Sequence, residues 1–234
     1  MSPLNRNRPG AGQGASTIEF MVAFVLVMLP LVLGTLELGQ LAVARLALNY
    51  ASFEAGRAGA LTGGDRGAMR EALARGMLPV LATFDHAAVA RQGAADADPS
   101  SAIVARGLTR ARLEMSRPDL VQWVVENPTQ ESFEDFAVLR DGVEVIPNED
   151  LDSSDVPGPA SGQTLADANV LAIRVRYCRE LFMPFVGQWL AEALDHEGRS
   201  LFDKGCLARR RVPIEARAVL QMHSPLRRSA IDGG

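Results

Sequence analysis

An α+β fold is predicted, with a long N-terminal helix ahead of helices packed on an antiparallel sheet, and three observations carry that prediction. Residues 20–36 form an uncharged run that continues in helical composition to about Ala60. Apolar residues then recur every fourth position at Met69, Leu73 and Met77 within 65–84, the period of a helix with one buried face, and 99–115 reads as a further helix. Beyond Pro118 the period drops to two, around Val121 to Val125, Leu171 to Tyr177 and Val212 to Met222.

The N-terminal segment decides the class. Met1 to Gln13 is polar, Gly/Pro-rich and basic through Arg6 and Arg8, and reads as a leader with no fold of its own. Phe20 to Leu36 contains 17 residues without a charge, near the lower end of the roughly 20 apolar residues that cross a bilayer. Glu19 and Glu37 flank the run, where a carboxylate costs far less than at mid-bilayer. A single span over about 20–40 follows. Pro30 removes a backbone donor and should bend it, while Gly34 and Gly39 offer small faces to a neighbouring helix. Leu41, Leu48 and Phe53 recur on roughly one side of the continuation, before Gly63-Gly64 ends a helix of about 45 residues. Arg45 and Arg57 nearly balance the leader's basic charge, so the charge rule sets orientation only when the N-terminal amine is counted.

The rest reads as one soluble domain. The chain has 234 residues, 22% of them charged, and a mean hydropathy of +0.05, which fits one domain on one anchor better than a transporter of many spans. Net charge is −4, and loss of the leader removes Arg6 and Arg8 and makes the chain more acidic, so nucleic acid is not an expected partner. All basic residues but Lys204 are Arg, a bias that points to a genome rich in G and C.

Asp65 is placed to cap a helix running to about Phe84, with Met69, Leu73 and Met77 on one face and Pro79 bending or ending it. Arg91 to Asp98 reads as a linker. Pro99 to Met115 reads as a third helix, with Ile103, Val104, Leu108 and Leu113 apolar and Arg106, Arg110 and Arg112 solvated. Val121, Trp123 and Val125 begin a strand. Phe136 to Arg140 and Val143 to Ile146 flank Asp141-Gly142, a strong two-residue hairpin turn. Pro147 to Gln163 reads as a mobile acidic loop. Leu171, Ile173, Val175 and Tyr177 share one strand face, and Val212, Ile214, Ala216, Ala218, Leu220 and Met222 another, with a short helix at Leu181 to Leu194 between them. One antiparallel sheet of four or five strands is expected.

Cys178 and Cys206 stand 28 positions apart with no zinc spacing beside them. In an oxidising compartment they read as a disulfide that pins the intervening segment to the sheet; two buried free thiols is the competing reading. Asp85-His86, Asp195-His196 and His223 lack a nucleophile elbow, paired-histidine metal spacing or phosphate loop. Asp152-Ser153-Ser154-Asp155 reads as a flexible acidic turn. Trp123 and Trp189 read as core or interface residues, and Met115 and Met222 as core. No catalytic residue, metal or cofactor is expected, and a membrane-anchored binding module and a secreted hydrolase stand as the alternative functions.

The stretch Gly14-Ala15-Ser16-Thr17-Ile18-Glu19-Phe20 gives the chain its resemblance. A basic leader ending in Gly, Glu at the fifth position after it, Phe next and then an apolar helix resemble the class III signal of type IV prepilins. Gly39-Gln40-Leu41 and Ala55-Gly56-Arg57-Ala58-Gly59-Ala60 resemble the TadE-like family of tight-adherence pilus proteins, over residues 12–62. The resemblance implies a minor pilin or pseudopilin acting in pilus assembly and adhesion. A prepilin peptidase would cut between Gly14 and Ala15; of Gly10, Gly12 and Gly14, only the last puts Glu19 at the fifth position. Glu19 and Phe20 would then act in subunit assembly, the carboxylate meeting the N-terminal amine of an adjacent subunit. The implied division is a leader at 1–14, an N-terminal helix at 15–62 and a periplasmic α+β domain at 63–234. The implied partners are other pilin and minor pilin subunits, an inner-membrane assembly platform and the membrane. Ala42-Val43-Ala44 resembles an ordinary signal peptidase site, a competing mode of processing.

Overall fold

The computed structural model describes residues 13–82, 99–151, 155–181 and 200–231, and the fold is α+β. It begins as one rod: α1 (Gln13–Ala23), a π-helical turn (Phe24–Met28) and α2 (Leu29–Thr62). The wide turn has a local cause. Pro30 has no N–H and its ring crowds the carbonyl four residues back, so the backbone widens just ahead of it and Leu29 N–H donates to Phe24 O. Proline is thus absorbed without ending the helix.

Helix α2 ends because Gly63 takes φ 68°, a left-handed position that glycine enters without steric cost. Gly64 N–H then donates to Gly59 O at 2.8 Å, closing the terminus. Asp65 caps α3 (Arg66–Ala82) as its position implies, Oδ1 accepting from Gly67 N–H at 2.6 Å and Ala68 N–H at 3.1 Å. Met69, Leu73 and Met77 are buried. Pro79 lies inside α3, which continues to Ala82; the expected end near Phe84 falls outside the described residues.

Helix α4 spans Pro99–Met115, the predicted bounds, but its inward face differs from the predicted one. Val104 and Leu113 are exposed, while Gly107, Ala111 and Met115 turn inward. Small side chains at spacing four let α4 lie close on α3, and Arg112 fastens the pair with two bonds to Glu71, at 2.9 and 2.6 Å. The linker expected at Arg91 to Asp98 lies outside the described residues.

The strands form two sheets, which corrects the single sheet of four or five strands. The first, in order β1-β4-β5, joins β1 (Val121–Asn127), β4 (Val170–Glu180) and β5 (Arg211–Gln221), all antiparallel. Leu171, Ile173, Val175 and Tyr177 face the core beside Leu220, Ala218, Ala216 and Ile214. The opposite face is charged: Arg174 pairs with Glu126, and Arg176 with Glu215 at 2.7 Å. The second sheet, in order β2-β3-β6, contains β2 (Val138–Arg140), β3 (Val143–Ile146) and β6 (Leu226–Arg227). Its hairpin turns at Asp141 (φ 50°) and Gly142 (φ 79°), as the Asp-Gly pair predicts.

The sheets separate because α5 (Gln130–Phe136) stands between β1 and β2 and takes the Phe136 that was expected to begin a strand. A capping box between Thr129 and Ser132 starts α5, and another between Thr164 and Asp167 starts α6 (Leu165–Ala168). The end of the acidic loop is tied down, where a mobile loop was expected. Asp135 accepts from Ser161 Oγ at 2.6 Å, Ser161 N–H at 2.7 Å and Ala160 N–H at 3.1 Å. These bonds, the Ser161 hydroxyl first, hold the Asp135 carboxyl below the ordinary carboxylate range. A depressed folded-state pKa stabilises the loop above the unfolded carboxylate range and ceases to do so as pH falls through the folded value. Protection of the Ser161 amide against hydrogen exchange should therefore fall below about pH 4, and in Asp135→Asn it should be low already at neutral pH. A pH-independent protection in the parent chain would contradict this coupling.

Ser200 caps α7 (Leu201–Ala208), its Oγ accepting from Asp203 N–H at 3.2 Å. The helix expected at Leu181 to Leu194 lies outside the described residues, apart from Leu181, which is not helical.

Candidate functional site

The sequence-predicted residues fall in two places. Gly14 and Ala15 lie in the first turn of α1, with Glu19 one turn beyond Ala15 on the same helix. Glu19 is exposed, and Phe20 is exposed and stacked on Phe24, the ring centroids 6.3 Å apart with 25° between planes. Cys178 and Cys206 lie in the globular part, on β4 and α7. They form a disulfide with Cα atoms 5.4 Å apart, which settles the choice between bridge and free thiols.

From Ile18 to Leu38 the large apolar side chains of the rod are exposed, apart from Leu33, which is half-buried. Thr17–Thr62 is a helix of 46 residues with a window of mean hydropathy 2.3, long and apolar enough to cross a membrane. Gly34 and Gly39 have open space beside them.

The second half of α2 is a different environment. Glu37, Ala44, Leu48, Ala51, Ser52, Ala55, Gly56, Gly59 and Ala60 are buried along one face, at helical steps of three and four. Phe53, expected beside Leu48, points outward. The face is made of small side chains because the sheet comes very close. A Cβ on Gly56 would stand 2.4 Å from Leu220 Cδ1, and one on Gly59 would stand 2.8 Å from Leu171 Cδ2. The Ala-Gly-rich segment around Gly56 and Gly59 is therefore a packing surface, and the core of the globular part includes Ala44 to Ala60.

The end of the rod is held by the end of the chain. Ser224 Oγ accepts from Gly63 N–H at 2.7 Å and donates to Ala60 O at 3.0 Å, and His223 N–H also reaches Ala60 O. Arg66 Nε donates to Ala230 O at 2.9 Å. His223, weighed in the sequence as a catalytic candidate, contributes its backbone to this cap. No sequence signal pairs residues 60–66 with 223–230, since the contact spans most of the chain.

A polar corner surrounds the disulfide. Glu114 Oε1 accepts from Tyr177 Oη at 2.6 Å and from Arg211 Nη1 at 3.2 Å, and Arg211 also donates to Cys178 O. Burial, with Glu114 beside it, pushes the Tyr177 phenol far above its usual pKa, so it stays a neutral donor. Asp119 joins Arg117 and Arg209, at 2.7 and 2.6 Å. These groups join α4 and the connection that follows it to β4, α7 and β5 at one point, a structural task.

The geometry defines a class: an α+β unit built around the far half of one apolar helix whose near half is largely exposed and long enough to span a bilayer. Residues 14–57, which form α1, the π turn and most of α2, match the family model described as TadE-like protein. No curated protein and no solved structure matches the chain.

Proposed function

We propose that the protein is a minor pilin or pseudopilin of a tight-adherence type IV pilus, working by assembly and adhesion and turning over no substrate. The observation that carries the reading is the family match over a helix in which Glu19 stands one turn after Ala15. A prepilin peptidase cuts between Gly14 and Ala15, and glycine suits the site because it lets the backbone approach closely. The cut frees an amine at Ala15, and the Glu19 carboxylate of a neighbouring subunit pairs with it, offsetting the cost of holding either charge in lipid. Phe20 packs beside that pair. The rod sits in the inner membrane, where it meets other pilin subunits and the assembly platform, and the α+β unit faces the periplasm. There the Cys178–Cys206 bridge is in an oxidising compartment.

N-terminal sequencing of the membrane-derived protein tests this. A start at Ala15 is expected, and Gly14→Val should leave the leader attached. A start at Met1 in the parent chain would leave an anchored module with no pilin processing; a start at Arg45 would mean conventional secretion. Either would overturn the proposal.

A further inference from the structure

Between α2 and α3 runs an open cleft of about 320 Å³, within the range of about 300 to 1,000 Å³ that small-ligand sites occupy. Its floor is made of buried small residues, Ala72 and Gly76, where the two helices come close. Its walls are polar: Tyr50, Glu54 and Arg57 from α2 and Arg75 from α3. Arginines elsewhere on the surface sit against carboxylates, as Arg112 does on Glu71, Arg140 on Glu149 and Arg228 on Glu144. The cleft departs from that habit. The side chains of Tyr50, Glu54 and Arg57 have no hydrogen-bond or ion-pair partner among the described residues, although Glu54 is half-buried. Arg75 reaches only Glu71, at 3.9 Å, and that carboxylate is already taken by Arg112 at 2.6 Å.

We propose that this cleft binds a carboxylated sugar unit of an extracellular polymer. Arg57 and Arg75 take the carboxylate, Glu54 accepts from ring hydroxyls, and Tyr50 covers an apolar face of the ring. The charges select the class. Two guanidinium groups beside one free carboxylate leave an excess of positive charge, so the ligand is an anion; Glu54 requires that the same ligand also donate hydrogen bonds. Both walls are helices whose backbone groups bond within the helix, so an extended peptide finds no main-chain partner there. A sugar needs none, because side chains read its hydroxyls and its carboxylate. A small molecule bound alone is normally enclosed over about 70 to 90% of its surface. This cleft is too open for that, Tyr50 itself being 59% exposed, and it suits one unit of a chain that continues into solvent. Lipid headgroups are out of reach: with a bilayer span ending near Gly39, Tyr50 stands about 16 Å and Leu61 about 33 Å beyond it. The site gives the adhesive role a ligand class and rests on that reading for its setting, while its geometry does not need the cut at Gly14.

Calorimetric titration of the full-length chain in detergent tests the site, with trigalacturonate as the probe and its neutral methyl ester and free glutamate as comparisons. Trigalacturonate should bind, and the ester should bind roughly tenfold more weakly. Arg57→Gln should cost a similar factor, because it removes one charged hydrogen-bonding partner. It should leave thermal unfolding unchanged, since Arg57 holds no other side chain. Arg70→Gln, at an exposed position of α3 outside the cleft, should bind as the parent does. Failure of the parent chain to bind, an ester as tight as the acid, normal binding by Arg57→Gln, or glutamate binding more tightly than trigalacturonate would each overturn the proposal. A protein that keeps Met1 yet binds trigalacturonate in this way sinks the processing reading alone. One that starts at Ala15 and binds none sinks the sugar site alone.

Discussion

Replacing Cys178 and Cys206 together by alanine should lower unfolding stability by about 3 to 4 kcal/mol, one of the two largest effects expected of any change in the globular part. The bridge closes a loop across a sequence separation of 28, and the lost restraint on the unfolded chain accounts for a change of that size. Alanine is the right replacement because both sites are fully buried and a serine hydroxyl there would add an unpaired polar group. Urea unfolding followed by tryptophan fluorescence in detergent measures the difference. A thiol reductant should destabilise the parent chain by a similar amount and leave the variant unchanged. A loss below about 1 kcal/mol would show that the polar corner of Glu114, Tyr177 and Arg211 holds these elements without the bridge.

The second prediction contrasts one substitution at two sites. A Cβ on Gly76 of α3 would stand 2.5 Å from Ala51 Cα and 2.6 Å from Ala51 Cβ, so Gly76→Ala must push α3 away from α2. Nothing flexible is available to yield, because the obstacle is backbone. Overpacking of this kind costs about 1 to 3 kcal/mol, and the larger end applies to a helix pair whose whole face depends on close approach. Helix propensity works in the opposite direction by up to about 1 kcal/mol and does not cancel it. Gly205, in α7, has nothing within 4 Å of its would-be Cβ, so Gly205→Ala keeps the propensity gain alone and should stabilise by about 0.5 to 1 kcal/mol. Thermal unfolding of the two variants should move in opposite directions. Two shifts of the same sign would refute the contact as described.

What the sequence made legible depended on how local the physics was. Asp65 before a helix, Asp141-Gly142 between strands, and alternation along 171–177 each act over a few residues, and each appears in the structure as expected. The pairing of β2-β3 with β6 instead of β1-β4-β5 depends on α5, seven residues held by the Thr129–Ser132 box. Hydrophobic periodicity does not register so short a helix. Thr164-Leu165-Ala166-Asp167 carries the capping signal that starts α6. Helix faces differ from the expected ones for a different reason. Phe53, Val104 and Leu113 are large and exposed, while Ala51, Gly56, Gly107 and Ala111 face inward because the neighbouring elements come too close for anything larger. Of the candidate site, the helix and the Cys178–Cys206 pair were legible, whereas the buried face of α2 showed only in the burial pattern.

The placement of Gly63 at the far end of α2, beyond the core-forming residues Ala44 to Ala60, has a mechanical consequence. Helix α2 runs unbroken from the apolar half into the folded unit, so one helix is the beam for both. A tug along the beam is loaded in shear across the whole interlocked face, with Gly56 and Gly59 keyed under Leu220 and Leu171. Interfaces loaded in this way give up all their contacts at once, so the folded unit travels with its anchor as one piece when the rod is drawn out of a bilayer.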